Sequence, residues 1–69
     1  MSVVLPLQRA EELQLLRQLR RQECRTNHSA TAEIADRLYA LGECMEWMEG
    51  GVICIEITAK GQRAIVEGK

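Results

Sequence analysis

The fold class is decided by residues 45–57, which read MEWMEGGVICIEI. Apolar and polar residues alternate on both sides of Gly50-Gly51, a pattern typical of a β-hairpin that closes through a two-residue turn. A two-residue turn at Gly50-Gly51 sets the register of the two strands and places Trp47 opposite Cys54. One face of the second strand is assigned to the core because it carries three isoleucines, Ile53, Ile55 and Ile57. Trp47 falls on the other face, where it can pack within the monomer or contact another chain.

Helical patterns precede the hairpin. A first helix is predicted from Pro6, where the missing N–H of proline costs nothing, to about Cys24. A second helix is predicted over residues 30–41, with Ser29 as its N-cap and Gly42 as the left-handed residue that ends it. The core stripe of this second helix is Ile34, Leu38 and Leu41.

A short third helix is predicted over residues 59–67, with Thr58 as its cap. The chain contains no repeat, linker or low-complexity stretch that would divide it further. The predicted fold is therefore α+β, in a single domain of residues 1–69: two helices, a two-stranded β-hairpin and a short C-terminal helix.

A homodimer is predicted from the width of the apolar surface on the first helix. Its apolar residues cover well over a third of the circumference, which is more than one small hairpin can bury. They are Leu7, Ala10, Leu13, Leu15, Leu16 and Leu19. A chain of 69 residues also buries only about 60% of its unfolded surface, so its core is marginal without a metal, disulfides or a second subunit. The expected dimer contacts are Leu15, Leu19 and Trp47.

Catalysis, metal binding and cofactor binding find no support in the sequence. Cys24, Cys44, Cys54 and the single histidine, His28, lack the spacing of a zinc site, so we expect buried thiols and a turn residue. No catalytic residue, metal or cofactor is expected, and the protein is not expected to be an enzyme. No apolar run is long enough to span a membrane and the N-terminus lacks a secretion signal, so we expect the cytoplasm.

Four arginines near the end of the first helix form a possible basic contact face: Arg17, Arg20, Arg21 and Arg25. At helical spacing they lie within an arc of roughly 140°. They indicate either an acidic or phosphate-bearing partner or a solvated helix end whose positive charge suits the helix dipole. The formal net charge of −1 argues against a protein held to nucleic acid mainly by electrostatics.

A nearly uncharged strip on the second helix, made of Ala32, Ala35 and Tyr39, is a candidate protein-binding surface. Tyrosine supplies a large contact area at low entropic cost, together with a hydroxyl for the rim of an interface. Ordinary core packing is the alternative for this residue. The polar neighbours that would form the rim are Glu33, Asp36 and Arg37.

The C-terminal half resembles winged helix-turn-helix regulators. An apolar strand runs into TAKGQRAI at residues 58–65, similar to their passage from wing to helix, and residues 32–38 resemble their small-residue helix packing. The resemblance implies a winged-helix-like fold and, as an alternative function, a DNA-binding transcriptional regulator. The chain departs from the pattern because residues 25–45 leave no room for two helices. The tip of its wing, with Glu46 and Glu49, is also acidic where phosphate contact needs basic residues.

Chain length, element order, Tyr39 and the arginine-bearing first helix together resemble the phage-encoded anti-activators that block quorum sensing, relatives of the phage twitching-inhibitory proteins. The resemblance implies a homodimer that binds a LuxR-type transcription activator at its DNA-binding domain, so that the activator cannot reach its promoters. It also implies a second target, the type IV pilus assembly ATPase, whose inhibition would exclude competing phages. Under this resemblance, binding is carried by Tyr39, Arg37 and the strip of Ala32 and Ala35.

Overall fold

The computed structural model of the chain describes residues 6–69, which contain three helices and one three-stranded antiparallel sheet. In chain order the elements are α1 (Leu7–Arg21), β1 (Cys24–Thr26), α2 (Ser29–Ala40), β2 (Cys44–Glu49), β3 (Val52–Ile57) and α3 (Ala59–Glu67). The predicted α+β class is confirmed. None of the helices in residues 6–69 has the length and apolar character needed to cross a bilayer.

The hairpin formed by β2 and β3 has the predicted register, with Trp47 paired to Cys54. Gly50 and Gly51 adopt φ angles of 60° and 78°. A mirror-image two-residue turn requires such positive values, which suit glycine because it has no Cβ to clash. One face of β3 packs on the core, as predicted, through Ile53, Ile55 and Ile57.

The prediction of a two-stranded hairpin is incomplete, because β1 adds a third strand on the far side of β3. Cys24 pairs with Ile55 and Thr26 pairs with Ile53, which gives the strand order β1-β3-β2. Helix α1 therefore ends at Arg21 rather than near Cys24. A strand of three residues is too short to show an alternation in the sequence, and it is stabilised by its pairing with β3.

The starts of both N-terminal helices differ from the prediction by one position. Pro6 occupies the N-cap of α1 rather than its first helical residue. Helix α2 covers Ser29–Ala40, so that His28, not Ser29, is its N-cap, and the His28 side chain makes no capping hydrogen bond. The chain is held at this point by the Thr26 hydroxyl, which accepts a hydrogen bond from the His28 N–H at 3.0 Å.

The end of α2 confirms the predicted role of Gly42, whose φ is 75°. The Gly42 N–H donates to the Tyr39 carbonyl at 3.0 Å, and the Glu43 N–H donates to the Leu38 carbonyl at 2.9 Å. These two bonds form a Schellman motif, which satisfies carbonyls at the end of the helix and turns the chain into β2.

The hydrophobic core lies between the three helices and one face of the sheet. Helix α1 contributes four buried leucines, Leu13, Leu15, Leu16 and Leu19. Leu15 and Leu19 are only 6% and 3% exposed within the protomer, so the prediction that they contact a second copy is wrong. The buried leucines of α1 are instead covered by α2, α3 and β3, whereas Leu7, at the start of the helix, is 79% exposed. In α2, Ala35 and Leu38 are fully buried, whereas Leu41, predicted as core, is exposed.

Helix α3 packs closely onto the turn before β2 because Gly61 has no side chain. The Thr58 hydroxyl caps α3, as predicted, by accepting a hydrogen bond from the Gly61 N–H at 3.2 Å. It also donates to the Gly42 carbonyl at 2.7 Å. A Cβ at position 61 would collide with the carbonyl oxygen of Glu43 and would lie 2.8 Å from Cγ1 of Ile57.

We expect Gly61→Ala to lower the free energy of unfolding. Alanine gains about 1 kcal/mol over glycine in helix propensity. The new methyl group meets a backbone oxygen that cannot move without shifting α3, and overpacking typically costs about 1–3 kcal/mol or more. Urea unfolding measures the net loss. Lys60→Ala, at an exposed neighbouring position, is the control and should change stability by less than about 0.5 kcal/mol. A Gly61→Ala variant as stable as the wild type contradicts this close packing.

Candidate functional site

The predicted binding residues of α2 divide between the surface and the interior. Tyr39 is 54% exposed, and Glu33 and Asp36 are exposed as well. Ala32 is half-buried at the margin of the helix. Ala35 is fully buried in the core, so its assignment to partner contact is wrong. The strip therefore reaches the surface only through Tyr39 and the half-buried Ala32, and the exposed Asp36 lies beside them on the same helix.

Arg37 takes part in an ion-pair network and is still partly exposed, so its role at the rim of an interface stays a prediction. Its Nε donates to Glu12 Oε2 at 2.9 Å. Arg9 contacts Glu12 Oε1 at 2.9 Å and both carboxylate oxygens of Glu43 at 2.8 Å. The carboxylate side chains of Glu12 and Glu43 are each only 7% exposed. The network joins α1, α2 and the turn before β2, and it compensates the Arg37 charge within the protomer.

The ionisation of the network follows from burial and hydrogen bonding. Burial alone would raise the pKa of Glu12, but hydrogen bonds from Arg37 and Arg9 outweigh it and hold the pKa below its ordinary value. The side-chain hydrogen bond with Glu43 raises the pKa of Arg9, although burial acts in the opposite direction. Both Glu12 and Arg9 are therefore charged at neutral pH.

We expect Glu12→Gln to lower the free energy of unfolding by roughly 2–4 kcal/mol at pH 7, because it leaves two guanidinium groups without their shared carboxylate. The folded pKa of Glu12 lies below its unfolded value of about 4.3. Its stabilisation is therefore fully present above that pH and is lost as the pH falls through the folded pKa. Urea unfolding between neutral and acidic pH should show the gap between wild type and variant closing.

The control for this measurement is Glu11→Gln, at an exposed neighbouring position of α1 that forms no ion pair in residues 6–69. It should leave stability almost unchanged across the same pH range. A gap between Glu12→Gln and the wild type that stays constant down to acidic pH would contradict the assigned ion pairs.

An acidic pair connects α2 to β2. Asp36 lies beside Glu46, whose Oε2 is buried with no hydrogen-bond partner in the described residues. Burial first, then hydrogen bonding and repulsion with Asp36, raise the pKa of Glu46 above its ordinary value. Glu46 pairs with Ile55, so it shares the face of the core isoleucines. The predicted hairpin register already implies that Glu46 faces the core side of the sheet, although Glu46 is not among the binding residues predicted from the sequence.

Exposed apolar groups adjoin the acidic pair. Tyr39 lies one turn along α2 from Asp36, and Met48, which follows Glu46 by two residues on the same face of β2, is 66% exposed. Because a short turn joins α2 to β2, the two elements run in opposite directions and Ala32 lies toward Met48. We call this set, Ala32, Asp36, Tyr39, Glu46 and Met48, the α2–β2 surface.

Trp47 lies on the outer face of the sheet, opposite the helices. Its Nε1 donates to Glu49 Oε2 at 3.3 Å, and its strand neighbour Cys54 is fully buried. Met45 shares this outer face and is 57% exposed. The outer face therefore presents two large apolar side chains to solvent.

None of the three cysteines forms a disulfide in the described chain. Cys24 is half-buried, and Cys44 and Cys54 are buried, so the expected burial holds fully for two of the three free thiols. Burial, assisted by nearby carboxylates, raises the pKa of Cys44 to about 11, which keeps it a thiol at neutral pH. Residues 6–69 contain no cluster of His, Cys, Asp and Glu that could hold a metal ion.

The four arginines of the predicted basic face have different surroundings. Arg17, Arg20 and Arg21 are exposed on α1 and form no ion pair in the part of the chain that the structure describes. Arg25 lies on β1, and its Nη2 is 3.6 Å from Glu49 Oε2, with both side chains more than half exposed. An exposed pair of this kind contributes little, so all four charges remain available to a partner.

No protein-family model, curated protein or solved structure matches this chain. The α2–β2 surface is the strongest candidate site, because it combines an exposed aromatic residue with an acidic pair in which one buried oxygen, Glu46 Oε2, lacks a hydrogen-bond partner within residues 6–69.

Proposed function

We propose that this protein is a small protein-binding inhibitor that attaches through the α2–β2 surface to the DNA-binding domain of a LuxR-type transcription activator. The observation that carries the proposal is the carboxylate pair of Asp36 and Glu46 beside the exposed ring of Tyr39. Attachment there would keep the activator from its promoters. The resemblance to phage anti-activators supports the same partner and the cytoplasm of a bacterial host as the site of action.

The acidic pair supports binding because it is unfavourable in the free protein. Two adjacent carboxylates repel each other, and Glu46 Oε2 is removed from water without gaining a hydrogen bond. A guanidinium or ammonium group from a partner, placed beside the exposed Asp36, would offset the repulsion between the two carboxylates. DNA-binding domains carry arginine and lysine side chains for phosphate contact, so they offer such cations. Glu33, exposed on the same helix, adds a further carboxylate.

Tyr39 supplies the apolar part of the proposed contact. Its side chain is 54% exposed and lies outside the core cluster, and Met48 adds a second exposed apolar side chain to the α2–β2 surface. Large, rigid aromatic residues surrounded by polar groups are the common anchors of protein interfaces. Tyr39 is therefore the proposed anchor, and Asp36 and Glu46 are the proposed charge contacts.

The alternative function, a winged-helix-like DNA-binding regulator, is less favoured. Only α2 lies between β1 and β2, whereas a helix-turn-helix needs two helices there. The exposed side of α2 is acidic, and so is the hairpin tip at Glu49. Both would repel the phosphate backbone.

The family resemblance alone extends the proposal to a second target, the type IV pilus assembly ATPase. Inhibition of that enzyme would exclude competing phages from the same host cell. Binding of the two targets through one surface would make them compete for the protein, whereas two surfaces would allow both to bind together.

We expect Tyr39→Ala to weaken binding to the activator's DNA-binding domain at least about 30-fold, as for loss of an interface anchor. Isothermal titration calorimetry with the purified domain gives the dissociation constant, and a gel-shift assay reports whether promoter DNA is released. Tyr39 lies outside the core, so the variant should keep its fold and oligomeric state. An unchanged dissociation constant removes Tyr39 from the site.

Glu46→Gln tests the acidic pair, because it should raise the free energy of unfolding and weaken binding to the activator's DNA-binding domain. The amide ends the repulsion with Asp36, so stability at pH 7 should rise while binding weakens. The folded pKa of Glu46 is raised, so the stability gain should shrink as the pH falls through that pKa. Glu67→Gln, on the exposed side of α3, is the matched control. A Glu46→Gln variant that binds as tightly as the wild type contradicts the charge contact. Binding of the wild-type protein to duplex DNA at low salt would support the alternative function instead.

The proposed functional unit is a homodimer formed through the outer face of the sheet. Met45 and Trp47 supply exposed apolar area there, whereas the leucines first assigned to the contact are buried. Arg25 and Glu49 lie on the same face with opposite charges, which two-fold symmetry can pair between copies. Packing two sheets face to face, about 10 Å apart, leaves the α2–β2 surface of each copy free.

We expect Met45→Glu to dissociate this dimer, because it buries a carboxylate against apolar groups of the second copy. Sedimentation equilibrium over a range of protein concentrations measures the change in association. Tyr39→Ala is the control and should stay dimeric. Wild-type protein that remains monomeric at high concentration, or a Met45→Glu variant that stays dimeric, contradicts the proposed contact.

A further inference from the structure

A groove distinct from the α2–β2 surface runs from the last turns of α1 to β1. Its larger part has a volume of about 530 Å³ and is lined by Gln18, Arg21, Gln22, Glu23, Cys24 and Arg25. An adjoining cleft of about 290 Å³ shares Gln18 and Arg21 with it and adds Arg17 and Arg20. The continuous groove therefore carries four arginines and a single carboxylate, Glu23.

The positive charge of this groove is almost uncompensated. No acidic residue occurs in residues 13–22. Arg17, Arg20 and Arg21 form no ion pair within residues 6–69, and the contact of Arg25 with Glu49 at 3.6 Å is exposed and weak. The protein has a formal net charge of −1, so this cationic groove is a local feature that the overall charge conceals.

The groove ends at an unpaired sheet edge. Strand β1 is outermost on its side of the sheet. Along β3, successive residues direct their backbone N–H and C=O groups alternately toward β2 and toward β1. Ile53 and Ile55 direct theirs toward β1, where they pair with Thr26 and Cys24. The intervening Arg25 therefore directs its own backbone N–H and C=O away from β3. No strand in the described residues pairs with that edge. An extended chain lying in the groove could therefore hydrogen-bond to the backbone of Arg25.

We propose that this groove binds an acidic segment of a partner protein in an extended conformation. The segment adds to the β1 edge through the backbone of Arg25, as in β-strand addition. Its carboxylates meet the guanidinium groups of Arg17, Arg20 and Arg21, which suit carboxylates because they donate paired hydrogen bonds. Gln18 and Gln22 supply amide donors and acceptors along the same path. This site is independent of the α2–β2 surface.

An acidic peptide fits the groove better than a nucleic acid does. Single-stranded nucleic acids are held by base stacking on aromatic side chains, and neither cleft has an aromatic residue in its lining. A sheet edge, in contrast, recognises a polypeptide backbone through its hydrogen-bond pattern.

Fluorescence anisotropy with a labelled short peptide of alternating glutamate and threonine tests the proposal on the full chain. We expect binding that weakens as salt is raised. Arg21→Gln, which changes the arginine shared by both clefts, should lower affinity about tenfold. Arg63→Gln, an exposed arginine of α3 outside the groove, should leave affinity unchanged. Absence of binding at low salt, or equal loss in the two variants, overturns the proposal.

Two further probes test the conformation and the class of the bound chain. A peptide with proline in place of each threonine keeps its charge but cannot donate backbone hydrogen bonds from those positions, so it should bind about tenfold more weakly. Equal binding of the two peptides overturns strand addition at β1. A single-stranded oligonucleotide of matched charge should bind more weakly than the glutamate–threonine peptide. Tighter binding of the oligonucleotide overturns the proposal in favour of a nucleic acid.

Discussion

The relative placement of α1, α2 and the hairpin depends on one ion-pair network, in which Arg9 and Arg37 neutralise the buried carboxylates of Glu12 and Glu43. Removing such groups from water costs several kcal/mol for each ion unless their oxygens meet donors. Arg9 meets this need with its planar guanidinium, which contacts Glu43 through both terminal nitrogens. The four side chains come from two helices and the turn before β2, so these elements can move apart only by leaving a buried charge unpaired.

The same arrangement holds α2 against β2 and so brings Asp36 to Glu46, where no arginine is present. Two acidic sites in this small protein consequently have opposite character. Cations hold the pKa of Glu12 below its ordinary value, whereas burial and a neighbouring carboxylate raise the pKa of Glu46. The free-energy cost of holding Glu46 in a buried position beside Asp36 persists only because the surrounding packing imposes it, and groups with perturbed pKa values concentrate at functional sites. In the proposed complex, a cationic partner lowers this cost.

The three surfaces of the protein differ in chemistry although the net charge is close to zero. The α2–β2 surface is acidic with an aromatic residue, the outer face of the sheet exposes Met45 and Trp47, and the groove beside β1 is cationic. Strand β2 contributes to both the α2–β2 surface and the outer face, and Arg25 of β1 belongs to both the outer face and the groove. The α2–β2 surface and the groove share no residue, so a partner at one of these two need not displace a partner at the other. A small inhibitor with such a layout could engage more than one macromolecule at a time.

Features that depend only on neighbouring residues could be predicted from the amino-acid sequence. The hairpin register, the glycine that ends α2 and the threonine that caps α3 all follow from local turn and capping chemistry: Gly50, Gly51, Gly42 and Thr58. Which apolar and charged side chains meet depends on the tertiary fold. Pairing with β3 forms strand β1, and packing of the helices buries Ala35, Leu15 and Leu19. The same packing pairs Arg37 with Glu12 and brings Asp36 beside Glu46. These contacts join residues far apart in the chain, and burial and ion pairing depend on that distant neighbour rather than on the local pattern.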